Sequence, residues 1–146
     1  MLLSELARPT RHELIGSDTE VRELVYNSRK VKHGDVFCCI VGTFADGHKY
    51  AQQAVDAGAA ALVVERKLDI DVPQILVEDT RIAMAEMAAA YYGYPSREMQ
   101  MIGVTGTNGK TSTTYMLKAI AERMGKKVGL IGTIRNMIGD IIIDTE

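Results

Sequence analysis

The chain has 146 residues, of which 47% are hydrophobic and 25% are charged, and its formal net charge is -2. This composition is typical of a globular protein that has enough apolar side chains to form a core. Basic and acidic residues are interspersed, so the sequence predicts no nucleic-acid surface. A membrane span needs about 20 apolar residues, and no segment of the sequence approaches that length. The length fits one domain, or a small domain followed by part of a second.

Alternating strand and helix signals run through the first 92 residues. Apolar runs bounded by polar turns predict strands over 12–16, 21–28, 35–42, 60–65 and 74–78. A helix is predicted over 46–58, with its apolar face formed by Tyr50, Ala54, Val55 and Ala57. A second helix is predicted to begin at Asp79 or Thr80 and to end at Gly93, with apolar surface from Ile82, Met84, Ala85, Met87 and Ala88.

The two cysteines, Cys38 and Cys39, are neighbours within a predicted strand. Consecutive strand residues point to opposite faces, and a bridge between them would be badly strained. The pair therefore favours a reduced, cytoplasmic protein.

A domain boundary is predicted at "GYPSREMQ", residues 93–100, because Pro95 cannot continue the preceding helix. After it the pattern starts again with a strand over 99–105, a glycine-rich loop, a helix from about Lys110 that ends at Gly125, and a strand over 127–132. The last residues predict a hairpin that turns at Gly139 and Asp140. The sequence thus predicts a mixed α/β domain over 1–98 and the first βαβ unit of a second, truncated domain over 99–146.

The stretch "IGVTGTNGKTSTT", residues 102–114, has the order expected of a phosphate-binding loop, except that Val104 stands where the usual pattern has a glycine. Backbone N–H groups between strand and helix can converge on phosphate oxygens. We therefore predict a nucleotide-phosphate site with Mg²⁺, in which Lys110 contacts the β- and γ-phosphates as the catalytic residue and the Thr111 hydroxyl binds the metal. The residues predicted to bind the nucleotide, which the resemblance given next implies is ATP, are Gly106, Thr107, Asn108, Gly109, Lys110, Thr111 and Ser112. The alternative is a plain glycine turn with an exposed lysine.

The segment "GVTGTNGKTS" resembles the ATP loop of the Mur ligases, whose G-T-N-G-K-[ST] pattern lacks the upstream glycine. The segment "YNSRKVKHGDVFCCIVGTFADGHKYAQQAVDAGAAALVVE", residues 26–65, is similar to the N-terminal domain of the family members that add the third and fourth components of the peptidoglycan peptide. It departs from their pattern at Asn27, at His33 and at the cysteine pair. A generic P-loop kinase or GTPase would explain the loop alone, and a noncatalytic nucleotide-sugar-binding module would explain the first domain alone.

The resemblance implies that the first domain holds the uridine diphosphate of a sugar-peptide substrate. Tyr26 and Ser28 would lie against the uridine, and Thr43, Phe44 and Ala45 would form the loop that closes on it. From the residues alone, Ser28 could instead cap a turn, and Arg29 could be a solvated residue at a strand end. Asp46 and His48 could simply begin the following helix, with Asp46 as its cap.

Within the family, Thr107 and the downstream "GLIGTIRNMIGDII" favour the ligases that add a diamino acid, meso-diaminopimelate or L-lysine, to UDP-MurNAc-L-Ala-D-Glu through an acyl phosphate. The alternative is the related ligase that adds D-Ala-D-Ala to the tripeptide. The family pattern continues beyond "DTE" with further catalytic motifs, so the sequence is interpreted as a fragment that is inactive alone. The complete enzyme is expected to be a cytoplasmic monomer.

Overall fold

The computed structural model describes residues 1–43 and 45–143. The chain divides into two compact units, Met1–Met99 and Gln100–Glu146. What each unit binds stays a prediction at this stage.

The first unit is built on one five-stranded sheet in the order β1-β5-β4-β3-β2. Strands β2 to β5 run parallel, and β1 is antiparallel to β5, with His12 opposite Val77. The strands are β1 His12–Ile15, β2 Leu24–Val25, β3 Val36–Cys38, β4 Ala61–Val64 and β5 Gln74–Val77. The predicted mixed α/β class is confirmed.

Strands β2 and β3 are shorter than the predicted ranges 21–28 and 35–42. The edge strand β2 has one neighbour, β3, and pairs with it over two residues. Beyond β3, the Cys39 N–H still bonds to the Val63 carbonyl, but the Ile40 N–H bonds back to the Cys38 carbonyl at 2.9 Å. This local bond ends the ladder, because a strand residue must direct its N–H to a neighbouring strand.

The described part of the first unit contains the α-helices α1 Leu3–Ala7, α2 Ala51–Asp56 and α3 Thr80–Tyr91. Helix α1 was not predicted, because its five residues are too few to show a helical period. The predicted helix over 46–58 begins as a 3₁₀ turn, Gly47–Tyr50, and continues as α2. Asp79 caps α3 by accepting from two backbone N–H groups, and Gly93 follows its end with φ 72°, as predicted.

The core lies on both faces of the sheet. One face packs against α1 and α3 through Val36, Cys38, Val63, Ile75, Leu3, Leu6, Ala83 and Met87. The other face packs against α2 through Phe37, Cys39, Leu62, Val64, Ala51 and Ala54. Cys38 and Cys39 thus point to opposite faces and are free thiols, as predicted. Burial raises the pKa of the Cys39 thiol to about 12 and that of Cys38 further, so both thiols stay protonated at neutral pH.

The predicted apolar faces of α2 and α3 need correction. In α2 the buried residues are Ala51 and Ala54, whereas Tyr50 and Ala57 are exposed. The predicted Ala54 and Val55 do pack in the core, so the prediction is confirmed for these two and wrong for Tyr50 and Ala57. Tyr50 lies in the 3₁₀ turn before α2, whose rotation per residue differs from that of a continuous α-helix. In α3 the buried apolar residues are Ala83 and Met87, and the predicted Ile82 and Ala85 are exposed.

The second unit contains α4 Lys110–Arg123 and an antiparallel sheet of β6 Gly129–Leu130, β7 Asn136–Ile138 and β8 Ile141–Ile143. The helix end at Gly125 and the hairpin turn at Gly139 are confirmed, with φ values of 76° and 57°.

The predicted strand over 99–105 does not form, and β6 pairs antiparallel with β7, so the predicted βαβ unit is not in place. A parallel strand is stable only beside a hydrogen-bonded neighbour, and no described residue pairs with residues 100–105.

Candidate functional site

The carboxyl ends of β2, β3, β4 and β5 lie together at one end of the first unit's sheet, because these four strands are parallel. This end is called the carboxyl edge below. Open α/β sheets usually bind ligands at this edge. The segments that follow the strands there are 26–28, 39–46, 65–66 and 78–81. The predicted substrate residues Tyr26, Ser28, Thr43 and Ala45 all belong to these segments.

Tyr26 and Ser28 follow β2. Tyr26 is 56% exposed. Ser28 is the first residue of the 3₁₀ turn Ser28–Lys30, and the cap is Asn27, whose side chain accepts from the Arg29 N–H at 3.1 Å. The alternative interpretation of Ser28 as the cap is therefore wrong. Its hydroxyl donates instead to Oε1 of Gln53 at 3.3 Å, a long contact that a better acceptor could replace.

The loop after β3 has a narrow base. Val41 and Asp46 form an isolated antiparallel bridge, and the Gly42 N–H donates to the Ala45 carbonyl at 2.7 Å. Thr43 and Ala45 are exposed, whereas Phe44 lies outside the described residues. Below the base, Gly47 passes so close to the sheet that an added Cβ would lie 2.7 Å from the Ile40 nitrogen. Glycine is therefore required at 47 for packing.

Asp46 joins the base of this loop to the end of β4. Its carboxylate accepts from the Arg66 guanidinium at 2.8 Å, from the His48 N–H at 3.0 Å and from Nδ1 of His48 at 2.6 Å. These hydrogen bonds hold the pKa of Asp46 well below its ordinary value, and the bond from Arg66 has a larger effect than those from His48. Nε2 of the buried His48 accepts from the Glu65 N–H at 2.9 Å, so Nδ1 carries the proton. Asp46 is thus the predicted cap, and His48 lies in the first turn.

The start of α3 is joined to the same edge. Oε1 of Glu65 accepts from the Thr80 N–H at 2.9 Å and from the Thr80 hydroxyl at 2.8 Å. Nε of Arg81 donates to the Val41 carbonyl at 3.1 Å. Glu65, Arg66 and Arg81 are not among the residues predicted from the sequence. Their positions directly after a strand or at a helix start could have indicated a role at this edge, but their partners are distant in the sequence.

The glycine loop of the second unit leads into the N-terminus of α4. Gly106 and Gly109 have φ values of 149° and 77°, which favour glycine. Gly109 is the N-cap, and the Thr113 N–H makes an early bond of the helix to its carbonyl at 2.9 Å. The N–H groups of residues 110–112 precede that bond, and an anion at the helix N-terminus would satisfy them.

The side chains around this terminus are exposed, apart from the half-buried Thr114. Nζ of Lys110 donates to the Gly106 carbonyl and so lies over the loop. The Thr114 hydroxyl donates to the Thr111 carbonyl at 2.8 Å and is thus part of the helix rather than of the loop. The hydroxyls of Thr111 and Ser112 are accessible, as a role toward phosphate or Mg²⁺ requires. Within residues 1–43 and 45–143, no group of three or more His, Cys, Asp or Glu side chains could hold a metal.

A cavity of about 580 Å³ lies at the opposite edge of the first unit's sheet. It is lined by Ile15, Gly16, Ser17 and the segment 67–74, which precedes and begins β5. None of the predicted substrate residues that the structure describes, Tyr26, Ser28, Thr43 and Ala45, lines it. No helix in the described part of the chain is both long and apolar enough to cross a membrane.

Comparison with known families assigns both units. The model described as Mur ligase family, catalytic domain, matches residues 20–92, which is half of the chain. The model described as Mur ligase middle domain matches residues 104–144. The chain belongs to the Mur ligase family. Members of this family are ATP-dependent amide ligases.

Similar proteins include UDP-N-acetylmuramoyl-L-alanyl-D-glutamate--2,6-diaminopimelate ligases from several bacteria. The Clostridium botulinum protein is 50% identical over 87% of this chain and 27% of its own length. The Geobacillus kaustophilus protein is 50% identical over 86% of this chain and 26% of its own length. The Listeria monocytogenes protein is 40% identical over all of this chain and 30% of its own length. This Mur ligase chain thus spans about a quarter to a third of these relatives.

Solved structures of Mur ligases share the fold. MurF from Acinetobacter baumannii is 28% identical, with a TM-score of 0.65 over 83% of this chain and 27% of its own. MurF from Thermotoga maritima in complex with ADP is 34% identical, with a TM-score of 0.53 over 70% of this chain and 24% of its own. A diaminopimelate ligase structure has a TM-score of 0.68 at 24% identity over 84% of this chain and 26% of its own, which shows the fold alone.

Proposed function

We propose that this chain is part of an ATP-dependent amide ligase that adds a diamino acid to UDP-MurNAc-L-Ala-D-Glu. The observation that carries the proposal is the loop 106–111 at the N-terminus of the 14-residue helix α4, with Gly106 and Gly109 in glycine-favouring conformations. The first unit precedes this loop in the same chain and carries the matched Mur ligase segment 20–92.

The second unit would bind the phosphates of ATP. The N–H groups of residues 110–112 and the loop amides would contact phosphate oxygens, and Lys110 would leave the Gly106 carbonyl to neutralise the β- and γ-phosphates. Gly106, Thr107, Asn108 and Ser112 complete the proposed contact set. Mg²⁺, if bound by the exposed Thr111 hydroxyl together with phosphate oxygens and water, would supply further charge neutralisation. The Thermotoga maritima MurF structure contains ADP, which supports a nucleotide role for the fold.

The first unit would bind the uridine diphosphate of the substrate at the carboxyl edge of its sheet. Tyr26 offers an exposed ring and Ser28, two residues further on, a hydroxyl, and the Thr43 hydroxyl and the Ala45 backbone belong to the exposed loop that follows β3. Phe44 belongs to the same proposed set by its position in the family motif. The cationic side chain of Arg66 at this edge would attract a diphosphate.

The proposed reaction has two steps. An oxygen of the D-glutamate carboxylate attacks the γ-phosphorus of ATP, so that ADP leaves and an acyl phosphate forms. The amine of the diamino acid then attacks the acyl carbon, inorganic phosphate leaves, and the amine loses a proton as the amide forms. In the first step the contribution of Lys110 and the loop amides is to position the γ-phosphoryl group and to stabilise its developing charge.

Addition of D-Ala-D-Ala to the tripeptide is the second candidate function, because MurF structures share the fold at 28% to 34% identity. The diaminopimelate ligases match at up to 50% identity, so we favour addition of the diamino acid. A P-loop kinase or a noncatalytic sugar-nucleotide module is disfavoured because the two family matches occur in this order in one chain. We further propose that the enzyme acts in the cytoplasm as a monomer.

The test is a ligation assay on a complete ligase that contains this 146-residue chain. We expect ATP-dependent product from UDP-MurNAc-L-Ala-D-Glu with meso-diaminopimelate or L-lysine, and none from UDP-MurNAc-tripeptide with D-Ala-D-Ala. The reverse preference would establish the second candidate. Activity with neither pair would contradict the proposed ligase function.

The 146-residue chain alone is expected to form no product. Residues 100–105 pair with no described strand, so part of the phosphate-binding free energy must order the loop. Product formation by the purified chain, abolished by Lys110→Ala, would contradict this expectation.

A further inference from the structure

Each end of the loop 41–46 is held by an arginine from a different part of the first unit. Arg66, which follows β4, holds Asp46 through its carboxylate at 2.8 Å. Arg81, in the first turn of α3, holds Val41 through its backbone carbonyl at 3.1 Å. Val41 and Asp46 are themselves bridged, so the two arginines act on the base of one loop from two sides.

Arg81 projects from a well-fixed support. Its N–H donates to the Asp79 carboxylate at 2.8 Å, and its neighbour Thr80 is fully buried and bonded to Glu65. The guanidinium runs alongside the loop, since Nη2 lies 3.9 Å from the position that a Cβ on Gly42 would occupy. Gly42 is the residue whose N–H closes the base of the loop onto Ala45. Arg81 therefore connects a rigid helix start to the bond that shapes the loop.

We infer that Arg81 is a positioning residue for sugar-nucleotide binding, which holds the base of this loop, formed by Val41, Gly42, Ala45 and Asp46, in the geometry that binds the uridine diphosphate. This inference rests on the proposed function for its ligand, but not for the contact with Val41. Arg81 acts through the loop backbone, because its observed contact is with the Val41 carbonyl.

An exposed side chain that makes one hydrogen bond to a carbonyl contributes little to global stability. Its effect on binding is larger, because a loop that is already held in its bound conformation loses less entropy when the ligand arrives. Loss of the contact is therefore expected to separate two properties: affinity for the ligand falls, whereas the melting temperature hardly changes.

The experiment uses the 146-residue chain with Arg81→Gln, Arg81→Lys and the control Arg22→Gln. Arg22 is matched to Arg81 in chemistry, since its exposed guanidinium also contacts a loop carbonyl, that of His33 at 3.4 Å. Arg22 directly precedes β2 and thus lies at the amino end of that strand, away from the carboxyl edge of the sheet. Three quantities are measured: amide hydrogen exchange by NMR without ligand, affinity for UDP by calorimetry, and the melting temperature.

For Arg81→Gln we expect faster exchange of the Gly42 amide, UDP affinity lower by about 5- to 10-fold, and a melting temperature within about 3 °C of the wild type. The Leu62 amide, which bonds to Pro73 in the core, should exchange at the wild-type rate. Arg81→Lys keeps a donor at this position and should fall between Gln and wild type. Arg22→Gln should match the wild type in Gly42 exchange and in UDP affinity.

Unchanged Gly42 exchange and unchanged UDP affinity in Arg81→Gln would overturn the inference. Faster exchange at both Gly42 and Leu62 in both Arg81 variants would also overturn it, because Arg81 would then support the whole unit. If the wild type itself binds no UDP, the proposed function of the first unit fails, and the Gly42 exchange still decides whether Arg81 positions the loop.

Discussion

The two units encode their candidate sites in different ways. In the first unit the site lies on a sheet that is packed on both faces, and its residues are held by contacts between distant parts of the chain. In the second unit Leu130 is the one buried apolar residue among those described, while Ile131 is 87% and Met124 71% exposed. The proposed phosphate loop nevertheless has its glycine conformations and its helix start. Local backbone geometry thus shapes the second candidate site, and tertiary packing shapes the first.

Two glycines illustrate this difference. Gly47 has no room for a side chain, because an added Cβ would lie 2.7 to 2.8 Å from the backbone of Cys39 and Ile40. Gly109 has nothing within 4 Å of an added Cβ, but its φ is 77°. Packing selects the first glycine, and backbone conformation selects the second.

The largest effect should come from Lys110→Ala in the complete ligase. We expect ligation to fall by at least about 10³-fold, because the charge that faces the γ-phosphoryl group in the transition state is lost. Calorimetry should show unchanged affinity for the uridine-linked substrate, since that site is assigned to the other unit. Lys127→Ala, at an exposed lysine after α4, is the control and should retain activity. Loss of substrate binding in a folded Lys110→Ala protein would disprove the separation of the two sites.

Gly47→Ala should destabilise the first unit by about 3 kcal/mol, because overpacking against backbone atoms cannot be relieved by a side-chain movement. The matched change Gly109→Ala should cost about 1 kcal/mol and act on the second unit alone. Urea unfolding followed by far-ultraviolet circular dichroism measures both. Equal effects of the two substitutions would remove the distinction between packing and conformation.

Replacing both Ser28 and Thr43 by Ala should weaken binding of the uridine-linked substrate by about 1 to 3 kcal/mol, since two hydrogen bonds to a partly desolvated ligand are lost. Binding of ATP should stay nearly unchanged. Gln53→Ala removes the present partner of the Ser28 hydroxyl and serves as a control that leaves the hydroxyl free for ligand. An unaltered affinity in the double variant would leave both residues without a role in binding.

The smallest effect concerns pH. Arg66 and His48 lower the pKa of Asp46 in the folded state, so the Asp46 carboxylate contributes stability above its ordinary pKa of about 4. This contribution is lost as the pH falls below that value toward the lowered folded pKa. The wild type should therefore be more stable than Asp46→Asn at pH 6, and the difference should narrow at pH 3. A difference that widens on acidification would contradict this assignment.

Much of the first unit could be predicted from the sequence, because its strands and helices carry strong periodic patterns and clear caps such as Asp79. The glycine turn before α4 and the helix start at Lys110 could also be predicted, since these residues are close in the sequence, whereas phosphate binding by this loop stays a prediction. The contacts of Arg81 with Val41 and of Glu65 with Thr80 could not, because they join residues 40 and 15 positions apart. Helix α1 could not be predicted because five residues show no helical period. The predicted strand over 99–105 was wrong because a strand forms only beside a hydrogen-bonded neighbouring strand, and an apolar pattern does not specify that neighbour.

The central claim is that the chain carries two separate nucleotide sites, one in each unit. It is tested most directly by titrating the ¹⁵N-labelled 146-residue chain with UDP and, separately, with ADP and Mg²⁺ while amide chemical shifts are recorded by NMR. The account predicts that UDP shifts the amides of Tyr26, Ser28, Thr43 and Ala45, and that ADP with Mg²⁺ shifts those of residues 106–112. Shifts of both groups by either nucleotide alone, or shifts by UDP confined to residues 106–112, would contradict it.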